Sequence, residues 1–160
     1  MMLEQWQFSQ PIGITVSDGE AEKEYRLTFK TMTAFDEAKF RARRGKIQGI
    51  LVALYGNLDE RTVEQTEDAD ALADILFRHA IIMSALATVE VLNGKKWEPT
   101  RLPEPWYDAK EFAFNAPAAI LDPLVQAVLD AGNPYRLFTF GSLTDDEKKM
   151  TRLTVRPSSN

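Results

Sequence analysis

The fold turns on ADALADILFRHAIIMSALATVEVLNG, residues 69–94. Ala69, Leu72, Ala73, Leu76, Ala80, Met83 and Ala87 recur in it at steps of three and four, the spacing that lines one face of an α-helix. The expectation is a long amphipathic helix. Toward its end Ile75, Ile81, Ile82, Leu86 and Val89 load the other faces, so that half belongs at the centre of a core or beneath a second subunit. Asn93-Gly94 then either ends the helix or forms a tight turn.

On the N-terminal side, Thr33 followed by Asp36 marks a helix start, because a hydroxyl can accept a free amide of the first turn and an acid there suits the helix dipole. Gly45 and Gly49 weaken the middle of this helix and predict a break or kink, and Gly56-Asn57 supplies its stop. Before it, Ile12, Ile14 and Val16 alternate, and Tyr25, Leu27 and Phe29 alternate again, which predicts two antiparallel strands. SDGEAEKE between them reads as a loop longer than a two-residue turn.

On the C-terminal side, Pro99, Pro103 and Pro105 remove backbone donors and restrain φ, so residues 93–115 are expected to form an extended connector anchored by its aromatics. A further helix is expected from about Ala116 to Ala131. Pro117 or Pro123 lies in its first turn, Leu121, Leu124, Val125, Val128 and Leu129 form its apolar face, and Gly132-Asn133-Pro134 is its stop. Ser142 or Thr144 can cap a short charged helix, and the last residues read as a frayed tail.

The expected whole is one α+β domain, a mainly helical body with a short N-terminal antiparallel β pair. Residues 1–31 form the β-rich start, 33–92 the helical part, 93–115 the Pro/Trp connector, 116–153 the helical end and 154–160 the tail.

Composition narrows the chemistry. With 160 residues, 44% of them hydrophobic, the chain can bury a core without staples, and having no cysteine it lacks disulfides, thiolate metal sites and Cys nucleophiles. A net charge of −5 argues against a nucleic-acid partner, and Arg41, Arg43, Arg44 and Lys46 read as solvated helix residues. The start, MMLEQWQFSQP, has no secretory pattern, and Ala80 to Val89, the most apolar run, is about half the length of a membrane span. An intracellular protein with no membrane segment is expected.

His79 is the only histidine and lies in the apolar helix, where it reads as a polar helix-face residue or a satisfied core residue. Asp68, Asp70 and Asp74 lack the glycine and terminal glutamate of a calcium loop, and Glu64, Glu67 and Asp68 read as solvated acids. GxxxxGK[ST], GxGxxG and GxSxG do not occur. The expectation is therefore a non-enzyme without cofactor or metal that works by binding. Trp97, Pro103, Pro105, Trp106 and Tyr107 are the candidate partner-binding residues, since Trp and Tyr give large contact area and prolines lower the ordering cost. Trp97 and Trp106 could equally pin the connector to the body, and Trp6 and Phe8 could be core or partner surface.

The layout resembles the tail assembly chaperones of long-tailed bacteriophages. EYRLTFKTMTAFDEAKFRARRG (residues 24–45) leads from strand into helix, a long helix follows, and LNGKKWEPTRLPEPWYD (92–108) precedes a last helical segment. Leu27, Phe29, Lys30 and Thr33 match the family's strand pattern x-L-x-F/L-R/K-x-x-T. The resemblance implies a protein of the host cytoplasm that binds the tape-measure protein, engages tail-tube subunits and can form a homo-oligomer. The alternative is a structural virion protein of the neck, connector or baseplate.

Overall fold

In the computed structural model, which describes residues 7–19 and 21–134, the alternating N-terminal residues form two paired strands. β1 (Ile12–Asp18) and β2 (Ala21–Phe29) run antiparallel, from Ile12 opposite Leu27 to Asp18 opposite Ala21. The pairing continues as far as Asp18 and Ala21, so the connection is shorter than the loop expected. Gly19 sits at φ +67, a conformation that costs glycine little.

Thr33 caps α1 (Ala34–Gly45) as its position predicts. Its hydroxyl accepts from the Asp36 amide at 3.1 Å, and the Asp36 carboxylate accepts from the Thr33 amide at 3.0 Å. Burial pushes the Asp36 carboxyl up, but these bonds and the Lys30 ammonium 3.2 Å away outweigh it and hold the pKa below its ordinary value. The helix breaks at Lys46, and α2 (Ile47–Tyr55) ends at Gly56 with φ +78.

The long stretch divides between two kinds of structure. α3 (Val63–Ala85) starts at a Thr62–Gln65 capping box and stops at Ala85, and Leu86–Asn93 is a strand, β3, where helix was expected. β3 pairs with β2, Tyr25 opposite Val91 and Leu27 opposite Val89, and with β4 (Lys96–Pro99) on its other side. Sheet order is β1-β2-β3-β4. Helix is disfavoured past Ala85 because Thr88, Val89 and Val91 are β-branched, and Thr88-Val89-Glu90-Val91 alternates with period two. The Lys30 amide donates to the Ala85 carbonyl at 2.9 Å and satisfies one of the last acceptors of α3. Asn93 and Lys96 are paired across Gly94-Lys95, with Gly94 at φ +68 in the first turn position. The α+β class holds, with a four-stranded sheet in place of a pair.

The expected extended connector contains β4, a 3₁₀ turn at Glu104–Tyr107 and a short helix, α4 (Ala109–Asn115). Pro105 enters the turn where no amide is needed, and the Asp108 carboxylate caps α4 by accepting from the Glu111 amide at 3.0 Å. A 3₁₀ turn at Ala118–Ile120 then leads into α5 (Leu121–Asp130), with Pro123 in its first turn and Gly132 at φ +85 after its end.

Tyr25, Leu27, Phe29, Ile14 and Val89 from one face of the sheet join Phe40, Leu51, Phe77, Ile81, Leu124 and Val128 in a single core. α3 lies centrally in it and contacts α1, α2, α4 and α5. Burying a Phe or Leu in this core contributes about 1.5–3 kcal/mol each. The opposite face carries Arg26, Glu90, Leu92 and Trp97, as the strand alternation and register require. Trp6, the Ser142/Thr144 cap, the charged helix and the tail lie outside the described residues.

Candidate functional site

A groove of about 390 Å³ opens between β1 and the segment from Pro103 to Ile120. Ile14, Thr15, Val16 and Ser17 all touch it. Consecutive strand residues point to opposite faces, so a cavity meeting all four runs along the edge of the strand. Among the described residues β1 pairs only with β2, which leaves this edge with unpaired backbone donors and acceptors.

Pro103 and, from the 3₁₀ turn at Glu104–Tyr107, Pro105 and Trp106 form one part of the opposite wall, and Phe112, Ala116, Pro117 and Ile120 continue it. Trp106 is half-buried and meets Phe112 edge-on at 5.4 Å, and the Phe112 ring lies 4.8 Å from that of His79. His79 Nε2–H donates to the Trp106 carbonyl at 2.8 Å, tying the turn to α3. Burial pushes the His79 pKa down, the Trp106 carbonyl opposes this, and Arg43 adds to the lowering, so the ring is held toward neutrality.

The polar groups of the groove are Thr15, Ser17, Asn115 and Glu111, of which Glu111 alone is ionisable. Glu24 and Glu22 stand exposed on β2, directly across from Thr15 and Ser17. Lys23 is opposite Val16 and so lies on the other face. No family model, curated protein or solved structure matches the chain. Among the described residues the arrangement offers an apolar slot, an acidic rim and a bare strand edge, which together suit side chains attached to an extended backbone.

The five binding residues expected from sequence separate. Pro103, Pro105 and Trp106 line the groove. Trp97 lies on β4 at the other side of the sheet, beneath the Arg26 guanidinium at 4.5 Å, and Arg26 is ion-paired to Glu90 at 2.8 Å. Tyr107 is engaged within the fold, where its hydroxyl accepts from the Leu102 amide at 3.0 Å and Arg101 covers its ring at 4.6 Å. Sequence reasoning missed Thr15, Ser17, Phe112 and Ile120 as groove residues. The alternation around Ile14 revealed the strand but carried no sign of which neighbour it would lack.

Other charged groups are also held internally. Arg41 pairs with Glu37 at 2.8 Å, Arg43 donates to the Ser84 hydroxyl at 2.6 Å, and Arg78 bridges Asp74 and Asp122. Among the described residues no three His, Cys, Asp or Glu side chains gather as a metal-binding group, and no single helix is long and apolar enough to cross a membrane. Phe8 pairs through its backbone with Lys30, its side chain 63% exposed.

Proposed function

We propose that this chain is a non-catalytic binding protein that serves as a tail assembly chaperone of a long-tailed bacteriophage, holding the tape-measure protein in the host cytoplasm until the tail tube forms. The observation that supports binding is the groove itself: an apolar slot with Trp106 in its wall, bounded on one side by a strand edge that is bare among the described residues. Such a site recognises polypeptide through apolar side chains and main-chain bonds. The partner's identity rests on the resemblance carried by Leu27, Phe29, Lys30 and Thr33 and by the Pro/Trp segment.

Quantitative mass spectrometry of producing cells and of purified particles tests the role. Abundance in cells with absence from particles is the expected result. Stoichiometric retention in particles contradicts it and favours a structural virion protein, a reading for which the seven-residue free edge of β1 would serve as a permanent subunit contact.

A further inference from the structure

We infer that β1 receives an extended segment of the partner as a fifth strand, with apolar side chains entering the groove and basic side chains lying over the opposite face. The inference deepens the proposed function and relies on it only for which protein supplies the segment.

Three observations converge on this occupant. First, β1 lacks the devices that normally blunt an edge. It spans seven residues, and its sequence IGITVSD has no proline and no lysine. β4, the other edge, is only four residues long, begins with Lys96 and ends with Pro99. Second, the groove follows the free edge of β1 over four consecutive residues, so an added strand would lie above it along its length. A helix has already satisfied its own backbone and cannot pair with that edge, which selects an extended ligand. Third, the charge near the edge is acidic on the face that carries Thr15 and Ser17, whereas the other face holds Lys23 as well as Glu111. Glu111 is the ionisable group in the groove, and Glu22 and Glu24 flank Ser17 and Thr15 on the opposite face, while Arg26 is already paired with Glu90. Next to β1, a fifth strand would lie about 10 Å from β2, two strand spacings away, within reach of long Lys or Arg side chains. A segment that alternates apolar residues with Lys or Arg meets all three requirements.

The probe is a short fluorescein-labelled peptide of alternating valine and lysine, titrated by anisotropy against the full chain, with light scattering on the same samples. Thr15→Lys places a charge on the exposed edge, and Glu111→Lys reverses the rim. The expected result is saturable binding to the wild type, weakened at least about tenfold by either variant with the melting temperature nearly unchanged, and binding unaltered by Trp97→Ala at the other edge. Binding by Thr15→Lys as tight as the wild type overturns the proposal. Failure of the wild type to bind also overturns it: a dimer that Thr15→Lys converts to monomer gives the edge to a second copy, and a monomer gives it to the chain's own remaining residues. Co-expression with a tape-measure protein separates this inference from the functional reading. If Thr15→Lys keeps that protein soluble as well as the wild type does, the strand inference falls and the chaperone reading stands. If the wild type binds the peptide but leaves the tape-measure protein insoluble, the reverse holds.

Discussion

Among the described residues β1 and β4 close the same sheet on opposite sides, yet only β4 is guarded. β4 is short, carries Lys96 and Pro99, and has its one tryptophan covered by Arg26. β1 is nearly twice as long, presents Thr15 and Ser17 where a guarding charge would stand, and borders a groove rather than solvent alone. Aromatic residues close in sequence therefore need not share a role. Trp97 stabilises the protected edge, and Trp106, nine positions later, shapes the slot beside the open one.

The largest effect should come from Phe112→Ala. Phe112 is 3% exposed and supports both Trp106 and His79, so its loss should lower stability by about 3 kcal/mol and collapse the groove. Urea unfolding with tryptophan fluorescence checks this, and a loss of a few tenths of a kcal/mol would mean that the wall facing β1 is not built on this residue.

A second effect depends on pH. His79 binds its proton more weakly in the folded protein than its ordinary 6.5 allows, so the unfolded chain takes up protons first. Stability should be full above that value and should fall as pH drops from it toward the lowered folded pKa. The folded ring stays neutral over that range and keeps its bond to the Trp106 carbonyl, so the groove of the folded protein should hold its shape while the stability falls. His79→Phe should flatten the stability slope in unfolding curves collected from neutral to acidic pH.

Trp97→Ala is expected to cost less, about 0.5–1 kcal/mol for the lost Arg26 stacking, and to leave the groove intact. Calorimetric melting measures it. The smallest change in stability, within about 0.5 kcal/mol, is expected for Lys96→Thr combined with Pro99→Val. That variant should nevertheless self-associate in light scattering, because its second edge would then be as bare as the first.

Much of the architecture was legible locally. The alternation of Ile12, Ile14 and Val16 against Tyr25, Leu27 and Phe29 pointed to the first hairpin, and Thr33 with Asp36 marked the first helix. Gly45 and Gly49 bracketed a real break, and Leu124 and Val128 in the C-terminal helix are fully buried. The junction at Ala85 and Leu86 was not legible, because neither glycine nor proline punctuates it and the four-residue step from Met83 to Ala87 continues the helical spacing into the strand. Reading β3 as helix removed the central partner of β2, and with it any view of which strands would be edges. The site suffered for the same reason. Pro103, Pro105 and Trp106 were recognisable by type, but their neighbours Thr15 and Phe112 come from elements that only the tertiary fold brings beside them.

Amide hydrogen exchange of the full chain, followed residue by residue with and without the valine–lysine peptide, tests the two-edge contrast most directly. Outward-facing amides of β1 should exchange quickly in the free protein and slow on binding, while those of β4 should be unaffected. Slowing at β4, or at neither edge, would contradict the assignment of β1 as the receiving strand.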